Sequence, residues 1–137
     1  MIILDTNIIA ALMRRDARVL DWLDEQPGQS VWISAVSVYE TRFGIEVLAV
    51  GRRKRELERA FEGFLKEDLE ARVVPFDTAA AESAGRVAAE RRRAGRSIDV
   101  RDAQIAGIVF SRRAILATHN TRHFEGIGLS IVDPLTP

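Results

Sequence analysis

Three carboxylates of this chain stand at positions where they could meet around a cation. Asp5 directly follows the apolar run Ile2–Leu4, and Asp102 lies three residues before Ile105 on the apolar side of a predicted helix. Glu40 lies inside another helical segment, on the same side as Val36, Phe43, Gly44 and Val47, and we predict that this side points inward. Clustered carboxylates repel one another, so such a group persists chiefly where a cation neutralises it. Oxygen ligands without any thiolate suit Mg²⁺ or Mn²⁺, and these ions support phosphodiester hydrolysis.

Each of these acids also has a purely structural explanation. Asp5 can cap the helix that follows it. Asp99, three residues before Asp102, can cap the next helix, and Asp102 would then lie in the first turn of that helix, where the helix dipole stabilises an acid. Glutamate is almost never fully buried without a partner, so Glu40 is an ordinary surface residue if its side of the helix faces solvent. The argument for a shared site is that Asp5, Glu40 and Asp102 all map to one edge of the predicted sheet.

Both histidines of the chain, His119 and His123, lie four residues apart in the segment Ala117–Gly126. Metal binding, proton transfer, hydrogen bonding in a tight turn and chance would each account for this spacing. The segment alone does not choose among these explanations.

Short apolar runs alternate with helical patterns along the chain, and Ser34 and Asp77 are predicted caps of two helices. The predicted strands are 2–4, 31–33, 73–74, 115–117 and 129–132. This alternation predicts an α/β fold in which a short parallel β-sheet of four to five strands is covered by helices on both faces. Ligands of such folds bind outside the carboxyl ends of the strands, where Asp5 lies.

The composition limits the class of protein. The chain has 137 residues, no cysteine and a net charge of zero, and no apolar run approaches the ~20 residues that a membrane span needs. We therefore expect a single domain over residues 1–137, in the cytoplasm and without a membrane partner. Eighteen of the twenty basic residues are arginine, with clusters at 52–55 and 91–96. Such clusters are usually solvated helix faces, and contact with a phosphate backbone is the alternative interpretation.

Four motifs, taken in order, resemble those of PIN-domain ribonucleases, and especially the VapC toxins of the FitB or StbB-like branch. The motifs are DTN at 5–7, SAVSVYE at 34–40, DAQIAG at 102–107, and ATHN at 117–120 followed by Phe124. The resemblance covers essentially the whole chain. No single motif is decisive, but four of them at the expected intervals are specific.

The resemblance implies a Mg²⁺- or Mn²⁺-dependent endoribonuclease, the toxin of a toxin–antitoxin pair, whose cation is held by Asp5, Glu40 and Asp102. It also implies a homodimer that cleaves RNA, is inhibited by a small VapB- or FitA-like antitoxin, and binds operator DNA through that antitoxin. The residues expected to orient the ligands, the water or the substrate are Thr6, Asn7, Asp99, Thr118 and Asn120. The candidate walls of an apolar groove for the antitoxin are Trp22, Phe43, Phe61 and Phe64.

The last motif departs from the family pattern at both histidines. The family commonly has an aspartate where this chain has His123, and an arginine where it has His119. Our hypothesis is that His123 acts in catalysis by orienting a ligand or donating a proton, while His119 contacts a substrate phosphate. Two exposed histidines in a polar loop are the alternative.

Two other functions fit part of the pattern. A PIN domain that is catalytically inactive, because His123 replaces the fourth acid of the family, would bind antitoxin and operator DNA without cleaving RNA. A phosphoacceptor domain, which is also α/β with an aspartate at a strand end, needs a lysine near its pocket. Lys54 and Lys66, the only lysines of this chain, lie on a charged helix instead.

Overall fold

The computed structural model describes residues 1–136, which form five strands and six α-helices. The strands are β1 (Ile2–Leu4), β2 (Val31–Ser34), β3 (Val73–Val74), β4 (Ile115–Ala117) and β5 (Ser130–Val132). The helices are α1 (Thr6–Met13), α2 (Ala17–Asp24), α3 (Ala35–Glu46), α4 (Arg52–Gly63), α5 (Thr78–Arg93) and α6 (Val100–Ser111). A π-helical turn, Phe64–Asp68, follows α4, and a 3-10 turn, Thr121–Phe124, follows β4. Within residues 1–136, none of these helices is long and apolar enough to cross a membrane.

The five strands form one parallel sheet in the order β3-β2-β1-β4-β5. Leu4, at the end of β1, lies beside Ile33 on one side and Ala117 on the other. The chain builds outward from β1 to β3 and then crosses back to add β4 on the other side of β1. In sheets of this kind a crevice opens where the strand order reverses, here between the carboxyl ends of β1 and β4. The residues that directly follow these two strands are Asp5 and Thr118.

Helices cover both faces of the sheet because successive strand residues point to opposite sides. Ile2 and Leu4 pack into a core that contains residues of α1, α2 and α4. Ile3 packs into a second core, with residues of α5 and α6. These two helices approach closely at Gly107, where an added Cβ would lie 2.7 Å from the Cβ of Ala84. The predicted α/β fold with two covered faces is confirmed.

The inward face predicted for α3 is wrong. Phe43 and Val47, which we expected to share an inward side with Glu40, are 55% and 64% exposed. Apolar residues occupy two sides of this helix, so the sequence pattern does not tell which side the sheet covers. Glu40 lies at the border between the covered side and the exposed side. The residues that α3 buries are Val36, Ser37, Thr41 and Ile45.

Three predicted boundaries also differ from the structure. Strand β2 ends at Ser34 instead of residue 33, and the last strand begins at Ser130 instead of Leu129. The charged helix on which we expected Lys66 ends at Gly63, and the chain continues as a π-helical turn. None of these differences moves a residue of the predicted site.

Candidate active site

Asp5 is fixed at the carboxyl end of β1 by its own turn and by two neighbours. It caps α1 as predicted, because its Oδ1 accepts the backbone N–H of Thr6 at 2.8 Å. Its Oδ2 accepts hydrogen bonds from Thr118 Oγ1 at 2.8 Å and from Asn7 Nδ2 at 3.1 Å. The residue is almost fully covered, with 5% of its surface exposed. Burial raises the pKa of Asp5, and the three hydrogen bonds offset part of that rise.

A hydrogen-bond network links the ends of β1 and β4. Asn7 Nδ2 also donates to Thr118 Oγ1 at 3.2 Å, and Asn7 Oδ1 accepts the backbone N–H of His119 at 2.9 Å. The backbone N–H of Asn120 donates to Thr118 Oγ1 at 3.0 Å. Asn7 and Thr118 therefore contact the carboxylate of Asp5 directly, whereas Asn120 supports it through its backbone.

Glu40 reaches the same crevice from α3, the helix that Ser34 caps as predicted. Its Oε1 accepts a hydrogen bond from Thr6 Oγ1 at 2.8 Å, which ties it to the residue beside Asp5. Its Oε2 lies 3.5 Å from Nη1 of Arg101, in the first turn of α6. The side chain is 20% exposed and therefore accessible from solvent. Glu40 therefore lies beside the turn that carries Asp5, and both of its carboxylate oxygens already have partners.

Asp102 lies in the first turn of α6, three residues after the predicted cap Asp99. Asp99 Oδ1 accepts the backbone N–H of Arg101 at 2.9 Å, so this carboxylate acts as the cap and remains exposed. Asp102 Oδ2 lies 3.1 Å from Nδ1 of His123. Burial raises the pKa of Asp102, the negative charge of Asp5 raises it further, and His123 lowers it. Asp102 therefore lies close enough to Asp5 for the two carboxylates to interact.

The two histidines have different carboxylate partners. His123 lies beside Asp102, whereas Nδ1 of His119 lies 3.1 Å from Oδ2 of Asp133. Asp133 closes the turn after β5, where its Oδ1 accepts the backbone N–H of Leu135 at 2.9 Å. The structure thus brings the ring of His123 to the acids and leaves the ring of His119 at the neighbouring turn. A substrate contact by His119 stays a prediction.

Sequence analysis missed Arg91, which we placed in a solvated arginine cluster. The residue is 8% exposed, and its Nη2 donates to the backbone carbonyls of His123 at 2.8 Å and Glu125 at 2.9 Å. It therefore holds the turn that carries His123. The signal for its burial was its spacing, because Arg91 lies four and seven residues after Val87 and Ala84, two buried residues of α5.

The donor set of the crevice fits a hard divalent cation. Asp5 and Asp102 already interact and have raised pKa values, a state that a cation between them would reverse. Their oxygens, with no thiolate nearby, are the ligands that Mg²⁺ and Mn²⁺ prefer. In residues 1–136, no three Asp, Glu or His side chains are close enough to share an ion as they stand. Glu40 would have to leave Arg101 to serve as a third ligand beside the two aspartates.

Comparison with known proteins places this chain in a family. Residues 2–128 match the family model described as "PIN domain". The chain belongs to the PIN-domain family. Two curated relatives of this PIN domain cover its length. "VapC ribonuclease Y4jK" of Sinorhizobium fredii is 35% identical over 100% of this chain and 99% of its own. "Plasmid stability protein StbB" of Pseudomonas syringae pv. tomato is 36% identical over 98% of each chain.

The fold of this PIN domain is also similar to solved structures. The structure described as "FitAB bound to IR36 DNA fragment" matches with a TM-score of 0.90 and 29% identity, over 100% of this chain and 97% of the other. "Toxin FitB" of Neisseria gonorrhoeae is 29% identical over 98% of each chain. The predicted resemblance to PIN domains, and to their VapC, FitB and StbB branch, is confirmed.

Proposed function

We propose that this chain, a single PIN domain over residues 1–137, is a Mg²⁺- or Mn²⁺-dependent endoribonuclease that acts in the cytoplasm as the toxin of a VapBC-type pair. The observation that carries the proposal is that Asp5, fixed at the carboxyl end of β1, lies near enough to Asp102 for its negative charge to raise the pKa of Asp102. Relatives are named "VapC ribonuclease Y4jK" and "tRNA(fMet)-specific endonuclease VapC". These names support an active nuclease over a catalytically inactive PIN domain.

Asp5, Glu40 and Asp102 are the residues that we propose as holders of the cation. When bound, the cation supplies the activation of water and neutralises the charge that develops on the phosphodiester. Asp5 needs little reorganisation, because its hydrogen bonds with Thr118 and Asn7 already fix its orientation. Glu40 can move, since its side chain is partly exposed and lies at the border of α3.

His123 is proposed to orient Asp102 and to give a proton to the leaving oxygen. Its Nδ1 faces Asp102 Oδ2, so Nε2 is the atom that we assign to proton transfer. Arg91 steadies the backbone carbonyl of His123 and therefore the direction of the ring. His119 is proposed to contact a substrate phosphate through Nε2, because its Nδ1 faces Asp133.

Exposed arginines at the end of α5 support an RNA substrate. Arg92, Arg93 and Arg96 are exposed at the end of α5, unlike Arg91 in the same cluster. Nη1 of Arg96 would lie 3.4 Å from a Cβ added at Gly126, so this guanidinium borders the segment after the His123 turn. We propose that these side chains contact RNA phosphates, which position the strand without reading its sequence.

A groove between α1, α2 and α4 is proposed to receive an amphipathic helix of a VapB- or FitA-like antitoxin. The groove encloses about 790 Å³ and is lined by leucines and by charged residues of both signs. Of the predicted wall residues, Phe64 lines this groove. Phe61 is fully buried, Trp22 is partly buried against the core instead of lining the groove, and Phe43 is exposed on α3. Leu20→Asp is expected to abolish co-purification with the proposed VapB- or FitA-like antitoxin, because a buried carboxylate would disrupt apolar packing in the groove.

The exposed side of α3 is proposed as the interface of a homodimer. Tyr39 and Phe43 are 62% and 55% exposed, and their rings stack with centroids 6.3 Å apart. Val47 continues the same stripe one turn later, and a straight stripe on one helix can pack against its own copy across a twofold axis. A dimer would also present two antitoxins to a twofold operator, consistent with the DNA in the FitAB structure. Phe43→Glu should yield a monomer in sedimentation experiments.

The test of the nuclease function is cleavage of a mixed RNA pool by antitoxin-free protein in chelator, in Mg²⁺ and in Mn²⁺. Asp5→Asn is compared with Asp16→Asn, because both residues cap a helix but only Asp5 faces the crevice. We expect cleavage that requires the cation, persists in Asp16→Asn and falls at least about a hundredfold in Asp5→Asn. Tight antitoxin binding without any cleavage would instead favour the catalytically inactive PIN domain.

A further inference from the structure

Arg101 occupies the mouth of the crevice and has no part in the mechanism above. It lies between Asp99 and Asp102 in the chain, and its side chain is 50% exposed. Its Nη1 lies 3.5 Å from Glu40 Oε2, and its Nε lies 3.4 Å from Asp99 Oδ1. Because Thr6 donates to the other oxygen of Glu40, both carboxylate oxygens are engaged before any cation is bound.

We propose that Arg101 is an internal counter-ion that competes with the divalent cation for Glu40 and, once displaced, binds a phosphate of the RNA. The inference rests on the proposed nuclease function and adds a residue to its site. Arg101 would therefore act twice, first by holding Glu40 in the cation-free enzyme and then by positioning the substrate.

The competition follows from the different partners of the three acids. Within residues 1–136, Asp5 is held by uncharged donors and Asp102 by His123, so Glu40 alone of the three is paired with an arginine. A divalent cation that approaches Glu40 must replace this guanidinium and is repelled by it at short range. Removal of the arginine charge should therefore strengthen cation binding, whereas loss of a structural contact would weaken it.

The displaced guanidinium remains anchored at the mouth of the crevice. Asp99 Oδ1 accepts both the backbone N–H and Nε of Arg101, at 2.9 Å and 3.4 Å. This leaves the two terminal nitrogens for another acceptor. A planar fork of N–H donors matches two oxygens of one phosphate, and an RNA strand brings such a phosphate to the acids that cleave it.

The test measures Mn²⁺ affinity by calorimetry on metal-free, antitoxin-free protein, with no dependence on activity. Arg101→Gln is compared with Arg112→Gln, at the opposite end of α6, whose guanidinium pairs with Asp77 at 2.9 Å. Arg101→Gln is expected to bind Mn²⁺ roughly threefold to tenfold more tightly than wild type, and Arg112→Gln to match wild type. Arg101→Lys keeps the charge and should remain within about twofold of wild type.

The second measurement is the KM for RNA at saturating Mn²⁺. Arg101→Gln should raise KM roughly threefold to tenfold, although the same variant binds the cation more tightly. Unchanged or weaker Mn²⁺ binding by Arg101→Gln, beside a wild type that binds Mn²⁺, overturns the competition and leaves the nuclease function intact. An unchanged KM overturns the phosphate contact. A wild type that binds no Mn²⁺ overturns both the inference and the nuclease function.

Discussion

His119 and His123 each place Nδ1 3.1 Å from an aspartate oxygen, and their side chains are 55% and 54% exposed. The geometry of the two pairs is therefore nearly the same. Their carboxylates differ in what else they contact. Asp133 also accepts hydrogen bonds from the turn that it closes, whereas Asp102 faces the negative charge of Asp5.

This difference shifts the pKa values of the two aspartates in opposite directions. Burial alone would raise the pKa of Asp133, but hydrogen bonds from Thr136, Leu135 and His119 lower it below its ordinary value. Burial and the charge of Asp5 raise the pKa of Asp102, and His123 offsets only part of that rise. An aspartate whose bonds are satisfied locally stabilises a turn. An aspartate left with a raised pKa is available to bind a cation.

The largest expected contrast is in RNA cleavage by Asp102→Asn and Asp133→Asn. Asp102→Asn removes a proposed cation ligand and should lower cleavage at least about a hundredfold. Asp133→Asn changes a turn and should cleave within about threefold of wild type at a temperature where it is folded. Rates of both variants against one labelled RNA in Mn²⁺ check this contrast. Equal losses would show that the two pairs do not differ in function.

Arg91→Met should destabilise the turn of His123, because the buried guanidinium of Arg91 holds two backbone carbonyls of that segment. The variant loses two hydrogen bonds from a charged donor and leaves two carbonyls unpaired, so the free energy of unfolding should fall by about 2 kcal/mol. Arg93→Met, an exposed substitution in the same helix, serves as the control. Urea denaturation measures both variants, and a loss no greater than that of the control would contradict the anchoring role.

His123→Ala and His119→Ala should have different effects on RNA cleavage. His123→Ala removes the partner of Asp102 and should lower kcat about tenfold, in the range of outer-sphere substitutions at metal sites. His119→Ala should leave kcat near wild type and raise KM for RNA no more than about threefold, as expected for loss of one phosphate contact. Steady-state kinetics in Mn²⁺ resolve these effects. Unchanged kcat in His123→Ala would refute its place in catalysis.

The smallest expected effect is on the free energy of unfolding, measured in chelator. The two Asp→Asn variants should change it in opposite directions. With its pKa raised above the ordinary 3.8, Asp102 lowers the free energy of unfolding as pH rises from 3.8 through the folded-state pKa. With its pKa lowered, Asp133 contributes stability above 3.8 that is lost as pH falls through the folded-state pKa. At neutral pH, Asp102→Asn should therefore raise the free energy of unfolding and Asp133→Asn should lower it. Urea denaturation at neutral pH tests the signs, and two effects of the same sign would contradict this linkage.

Sequence reasoning found the features that depend on neighbours along the chain. Helix caps at Asp5, Ser34, Asp77 and Asp99 follow from short-range hydrogen bonding. The order of strands and helices follows from apolar spacing, and the crevice follows from the rule that parallel strands end at a common edge.

The features that were missed depend on contacts between distant segments. Glu40 and Arg101 are 61 positions apart, and the Arg91 bonds reach residues 32 and 34 positions away. Local spacing carries no information on such pairs, so it did not show that one arginine faces an acid and another is buried. For the same reason, apolar residues on two sides of α3 did not reveal which side the sheet covers.

The most direct test of the account is Mn²⁺ binding by the two aspartate variants, followed through the paramagnetic resonance signal of the free ion. Wild type and Asp133→Asn should bind Mn²⁺ with equal affinity, and Asp102→Asn should bind it at least about tenfold more weakly. Equal binding by all three proteins, or no binding by wild type, would contradict the assignment of Asp102 and its histidine to a cation site.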